Sequence, residues 1–176
     1  MAAQDIIFAG FGGQGILSMG KFLAYAGMDI NMNVSWLPSY GPEMRGGTAN
    51  CSVILSDDPV GSPIVINPTS LVVMNRPSLD KFEKDLEPGG LLILDSDLIE
   101  RQIERTDIDV IRIPAQTEAD KIGSKQIANM VLLGALVAKT QIVSMEVLLQ
   151  SLKDHGKEKF YEVNKKALEI GASYVK

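Results

Sequence analysis

The stretch that most restricts the fold lies near the N-terminus, DIIFAGFGGQGILSMGKFLAYAGMD from Asp5 to Asp29. Asp5 to Ala9 is a short apolar run that stops at a glycine cluster, as a buried parallel strand does. Beyond Gly13 the period changes. Ile16, Met19, Gly20, Leu23, Ala26 and Gly27 recur at helical spacing and predict a helix ending near Gly27 to Asp29. Gly10, Gly12 and Gly15 give the pattern GxGxxG across the turn. Such glycines allow a tight turn and close approach of backbone to a ligand, and the first free N–H groups of the helix then form an anion site. The dinucleotide version of the motif also needs an acid about 20 residues on, at the end of the second strand, to hold the ribose hydroxyls. Asp29 has the count but precedes that strand, whose end carries Ser39 and Tyr40 instead. The turn therefore predicts a phosphate or packing site without specifying NAD.

The remaining pattern continues the alternation of strand and helix. Asn33 to Leu37 predicts a second strand, broken by Pro38-Ser39-Tyr40-Gly41-Pro42, and Thr48 to Ser56 a third. In the third, Thr48, Asn50 and Ser52 share one face, and Ala49, Cys51 and Val53 the other. Leu71–Met74, Leu91–Leu94 and Val110–Ile113 are further apolar runs, with a helix between Ser78 and Leu86 that stops before Pro88-Gly89-Gly90. Ser124–Thr140, Ser144–Asp154 and Lys157–Tyr174 all read as helices, the first apolar all round and so buried. The expectation is an α/β fold, a single-domain layered sandwich over 1–176, with a mostly parallel sheet flanked by helices and a helical C-terminal third. A length of 176 residues suits one such unit.

Charge and cysteine content narrow the function classes. With 17 basic and 22 acidic residues the formal net charge is -5, which argues against nucleic acid as a partner. The single cysteine, Cys51, excludes an internal disulfide and any thiolate cluster for zinc or iron–sulfur. No basic n-region precedes the first apolar run, and the longest apolar segment, Ile127 to Ala138, is too short to cross a bilayer, so a cytoplasmic protein without a membrane partner is expected. Asn50-Cys51-Ser52 fits a glycosylation pattern that such a location leaves unused. No metal site is expected on this chain. Cys51 reads as a buried small hydrophobe, and the one histidine, His155, as a solvent-facing residue at a charged helix end. Asn129 interrupts the apolar run IANMVLLGAL, where a buried amide must find partners; a brace for the glycine turn is the expected use.

A second unusual stretch is SYGPEMRGGTANCS. Tyr40, Glu43 and Arg45 are presented by backbone rich in turn residues, Gly41, Pro42, Gly46 and Gly47. Loops at the carboxyl ends of neighbouring strands in a doubly wound sheet share one crevice, so this loop is expected beside the glycine turn. Arg45 is suited to grip a phosphate or carboxylate in two-pronged fashion; the bland alternative is a Glu43–Arg45 surface pair.

With GFGGQG at Gly10 to Gly15 and WLPSYGPEMRGGTANCSVILSD from Trp36 to Asp57, the chain resembles the gamma subunits of 2-oxoacid:ferredoxin oxidoreductases, most closely the 2-oxoglutarate and 2-oxoisovalerate types. NMVLLGAL from Asn129 and NKKALEIG from Asn164 are similar to that family's tail. The resemblance implies a subunit with no catalytic residue of its own. Thiamine diphosphate with Mg, and the [4Fe–4S] clusters, would lie on alpha and beta subunits or a separate delta subunit. The complex would oxidise a 2-oxoacid such as 2-oxoglutarate or pyruvate to an acyl-CoA and reduce ferredoxin. Gly10, Gly12, Gly13, Gln14, Gly15, Tyr40, Glu43, Arg45, Gly46 and Gly47 are the implied coenzyme A residues. Gln14 would add a hydrogen bond or face a partner subunit, and Tyr40 would close the pocket. The expressed chain alone would be free to form a homodimer through faces meant for its partners. Three alternatives remain open on the residues alone: a free-standing NAD-binding Rossmann-type dehydrogenase, a purely structural assembly subunit, and the indolepyruvate branch of the same family.

Overall fold

The computed structural model describes residues 2–39 and 48–175. Among these residues a six-stranded sheet runs in the order β2-β3-β1-β4-β5-β6. The strands are β1 (Ala3–Phe11), β2 (Asn33–Ser39), β3 (Thr48–Ser56), β4 (Ser70–Val73), β5 (Leu91–Asp95) and β6 (Asp109–Ile113). The helices are α1 (Ile16–Asp29), α2 (Arg76–Phe82), α3 (Ala115–Lys121), α4 (Ala128–Thr140), α5 (Met145–His155) and α6 (Glu158–Ser173).

The expected α/β class holds, and the sheet departs from it at one strand. β1, β4, β5 and β6 pair in parallel, whereas β3 runs antiparallel to both β1 and β2. The reason is the length of the connection between β2 and β3. A parallel crossover needs a dozen or more residues, and positions 40–47 are too few, so the chain can only return as a hairpin. The neighbouring pair of parallel strands expected for a doubly wound first half is therefore replaced by an antiparallel strand wedged between β1 and β2.

Register then sorts the side chains. Pairs such as Ile6↔Val53 and Phe8↔Cys51 turn one face of the wing toward α1, together with Val53↔Trp36. Ile6, Phe8, Cys51, Val53, Leu55, Val72 and Ile93 join α1, α4, α5 and α6 in the larger core. The opposite face uses Ile7, Ala9, Leu71, Val73, Leu92 and Leu94 against Leu79, Leu86 and Ile99. Each fully buried large aliphatic contributes about 1.5–3 kcal/mol relative to exposure. α1 lies close to the sheet because Gly20 and Gly27 face it: a Cβ at Gly20 would sit 2.5 Å from Cys51 Sγ, and one at Gly27 would sit 2.5 Å from Leu55 Cδ2.

Local chemistry explains several boundaries. Ser144 caps α5 by accepting from the Val147 amide at 3.1 Å, and Asn75 caps α2 by accepting from the Ser78 amide at 2.8 Å. α4 is buried from Ala128 to Val137, as its all-apolar composition predicts, but it opens with a 3₁₀ turn at Lys125–Ile127 rather than extending back to Ser124. α3 has no counterpart in the sequence expectations. Its seven residues, AQTEADK, carry mixed polarity and no side-chain cap.

Candidate functional site

The turn from Phe11 to Gly15 sits at the carboxyl end of β1 and feeds α1 directly. Two residues supply its left-handed backbone, Gly13 at φ 90° and Gly15 at φ 75°, conformations that a side chain strains. The Gln14 amide donates to Phe11 O at 3.2 Å, which closes the turn. Gln14 also spends its side chain there: Oε1 accepts from the Phe11 amide at 2.6 Å and Nε2 donates to Met74 O at 3.3 Å. Its carboxamide thus ties the turn to the end of β4 and is turned inward, where the sequence allowed either a ligand or a partner.

Asn129 reaches the same turn from α4. Its Nδ2 donates to Gly15 O at 3.1 Å, across 114 residues of sequence, and the side chain is 6% exposed. This is the brace expected of it. Gly15 O also accepts from the Met19 amide, the first bond of α1. The amides of Gly12, Gly13, Gly15, Ile16, Leu17 and Ser18 find no acceptor among the described residues. No acidic side chain occupies the first turn of α1. A rigid cluster of backbone donors at a positive helix end is what an anionic oxygen requires.

Of the residues anticipated from sequence, Gly10, Gly12, Gly13, Gln14 and Gly15 are gathered here. Gly10 is closely packed, since a Cβ on it would lie 2.6 Å from Gln14 Oε1 and 2.7 Å from Ile16 Cδ1. Tyr40, Glu43, Arg45, Gly46 and Gly47 lie outside the described residues. The flanks of that segment are described: Thr48 pairs with Phe11, and Ser39 pairs with Asn50 of β3. Ser39, Thr48 and Phe11 therefore lie at the same end of their strands as the glycine turn.

Three hollows surround the turn. One, of about 290 Å³, runs from Phe11 and Gly12 to Ala49. A second, of about 210 Å³, lies toward Met74, Gln116, Lys125 and Gln126. The third, of about 470 Å³, runs along α1 to α6. Gln116 itself donates to Asp95 Oδ2 at 2.9 Å; burial raises the Asp95 pKa, opposed by this bond and by the Asp97 amide. Sequence reading missed Gln116, Lys125, Gln126 and the α6 side chains, because they reach the turn only through packing of distant elements.

Other expectations are settled by the same geometry. Cys51 is fully buried and burial pushes its thiol up to about 12, so it stays protonated and inert, as expected of a small hydrophobe. His155 is exposed at the end of α5, as expected, and its ring also stacks on Tyr25 at 4.2 Å between centroids. Its Nε2 lies 3.4 Å from Asp29 Oδ1. Asp29 closes α1, about 20 Å from Gly15 at the helical rise per residue, and cannot reach a ribose held at the turn. β2, which would carry the ribose acid, is separated from β1 by antiparallel β3. Both facts tell against the dehydrogenase alternative. Among the described residues no three His, Cys, Asp or Glu side chains are arranged to hold a metal ion, and no helix is long and apolar enough to cross a membrane.

Comparison with known proteins places this geometry. The chain is 40% identical to the ketoisovalerate oxidoreductase subunit VorA of Methanothermobacter thermautotrophicus, over 96% of the chain but only 35% of that protein's length. It is 36% identical to the 2-oxoglutarate synthase subunit KorC of Methanocaldococcus jannaschii, over 86% of the chain and 82% of that subunit. The keto/oxoacid ferredoxin oxidoreductase gamma subunit from Geobacter sulfurreducens superposes with a TM-score of 0.89 at 32% identity, covering 99% of this chain and 97% of that one. A 2-oxoglutarate:ferredoxin oxidoreductase from Magnetococcus marinus, solved with 2-oxoglutarate, coenzyme A and succinyl-CoA bound, shares the fold with a TM-score of 0.88 at 24% identity, over 31% of that chain. Since residues 5–174 match the pyruvate ferredoxin/flavodoxin oxidoreductase family model, the chain belongs to that family.

Proposed function

We propose that the chain is the gamma-type subunit of a 2-oxoacid:ferredoxin oxidoreductase, which converts a 2-oxoacid and coenzyme A to acyl-CoA and carbon dioxide and passes two electrons to ferredoxin. The observation that carries the reading is the nearly end-to-end match to a solved gamma subunit, 99% of this chain on 97% of that one. The VorA relative is about three times as long, so the same unit also occurs joined to further polypeptide. Thiamine diphosphate, Mg and [4Fe–4S] clusters belong in this reading to alpha, beta or delta partners, because a lone buried Cys51 can ligate no cluster.

This chain's own contribution is to receive coenzyme A. The unpaired amides at the start of α1 are suited to one oxygen of its pyrophosphate, held without reorganisation because Gln14 and Asn129 fix the turn. The coenzyme A in the Magnetococcus enzyme, which shares this fold, supports the choice of ligand. Arg45, with Glu43 orienting it and Tyr40 closing over it, is assigned a second phosphate. The function is tested by reconstitution from separately purified subunits: acyl-CoA formation is expected to fall to background without this chain, and full-rate turnover without it would end the proposal. Within the complete assembly, Arg45→Ala is expected to raise KM for coenzyme A about tenfold, the loss of a charge-assisted hydrogen bond, with KM for the 2-oxoacid unchanged. Equal KM for coenzyme A before and after would leave the chain a scaffold only.

A further inference from the structure

A hollow of about 610 Å³ opens where α4 ends and α5 begins, beside the last turns of α6. Asn129 braces the glycine turn from the start of α4, whereas Gln141 stands at the other end of that helix, about 18 Å further along it. The hollow therefore lies outside the site described above. Its floor is apolar: Val137 and Val143 are buried, and Ala138 and Ala172 are too small to fill the space above them. Met145, half-buried at one wall, is an unbranched side chain that repacks readily around an incoming group. Gln141 and Glu169 are exposed on the rim. Gln141 takes φ 52°, and this left-handed cap ends α4 and turns the chain into Ile142 and Val143.

The field around this floor is negative. The carbonyls of Ala138, Lys139 and Thr140 accept no hydrogen bond among the described residues, and they form the negative pole of α4. Glu169 makes no ion pair among the described residues, although Lys165 and Lys166 precede it by about one turn on the same helix. The cation of α4, Lys139, is held by Asp109 at 2.8 Å. The first amides of α5 also border the hollow, but their positive pole is already answered: Ser144 accepts from the Val147 amide, and Glu146 stands in the first turn. An apolar floor under a rim of unanswered negative charge disfavours an anionic ligand. It fits an apolar side chain with an arginine or lysine next to it.

We infer that this hollow is the seat of a partner subunit, which inserts an apolar side chain between α4, α5 and α6 and lays a neighbouring arginine or lysine against Glu169 and the α4 carbonyls. This rests on the gamma-subunit reading above and assigns one face of the chain to assembly. A second copy of the chain suits the hollow less well. Its own exposed aromatic beside a lysine is Phe160, with Lys159 Nζ 4.9 Å from the ring centroid. Phe160 precedes Glu169 by about two and a half turns of α6 and so projects from the opposite side of that helix. Two copies packed through the same face of α6 therefore cannot each seat the other's Phe160 in the hollow.

Binding of this chain to the separately purified remaining subunits, measured by isothermal titration calorimetry, tests the seat. Glu169→Lys is expected to raise Kd about tenfold, and Ala172→Leu, which fills the hollow from its wall, by a similar factor. Glu100→Lys makes the same charge change at an exposed carboxylate next to Ile99 of the opposite core, and should leave Kd unchanged. Added salt should weaken binding of the unmodified chain more than that of Glu169→Gln. An unchanged Kd with both Glu169→Lys and Ala172→Leu overturns the assignment and leaves the gamma-subunit reading standing. A homodimer, seen by sedimentation, that Glu169→Lys breaks while Kd for the partners holds would equally overturn it. If the unmodified chain binds none of the remaining subunits, the gamma-subunit reading itself fails, and the seat falls with it.

Discussion

Gly171→Val is expected to melt roughly 6–12 °C below the unmodified protein, the equivalent of about 3 kcal/mol in a chain of this size. α4 and α6 cross with a glycine from each helix against the backbone of the other. A Cβ added at Gly171 would run into the carbonyl oxygen of Val131, and one added at Gly134 into that of Leu168. In neither case is the obstacle the far end of a flexible side chain, so the helices must separate. Separation would loosen Val131, Ala135, Ala167 and Leu168, all fully buried at the contact. Gly61→Ala is the control, because nothing lies within 4 Å of the added carbon and its φ is ordinary. Thermal denaturation followed by circular dichroism measures both. Equal melting temperatures for the two variants would mean that the close crossing of α4 and α6 is wrong.

Gly15→Ala should be the more damaging change for function. The residue sits at φ 75°, where a Cβ costs about 1–2 kcal/mol. The new carbon would also meet Asn129 Nδ2, displacing the amide that braces the turn. A buried amide that loses its partner costs about 1–3 kcal/mol more. Gly13→Ala isolates the first effect, since φ is 90° there but no atom lies within 4 Å of the added carbon. Gly15→Ala is therefore expected to destabilise more than Gly13→Ala, and combining it with Asn129→Ala should cost less than the sum of the two single changes. In the reconstituted complex KM for coenzyme A should rise about tenfold or more with Gly15→Ala, because the helix amides would no longer hold their aim. Strict additivity in the double variant would show that Asn129 does not act through the turn.

The parts of this molecule visible in its sequence are those set by local pattern. β3 spans Thr48–Ser56 as its alternation predicts, and α1 ends at Asp29 where its apolar stripe runs out. α5 starts after the capping Ser144. The glycine turn was legible because positive φ leaves a compositional mark. Cys51 and Asn129 were legible as a buried thiol and a buried amide, since burial follows from an apolar context. α3 was not, because seven residues of mixed polarity give too little periodicity to count. The reversal of β3 had one overlooked signal, the short connection before it.

What the sequence by itself determined is the order of strands and helices, the strand–turn–helix unit and the family resemblance carried by two glycine-rich motifs. Only the tertiary structure decided that β3 wedges between β1 and β2, that Gln14 turns its amide inward to Met74, and that α6 brings Lys157 and Phe160 to a groove beginning at Gly15. The physical reason is range. Propensity, capping and backbone conformation act over a few neighbouring residues. Strand direction, the partner of a buried amide and the lining of a groove depend on which distant surfaces bury most apolar area together, and no single stretch of sequence contains that information.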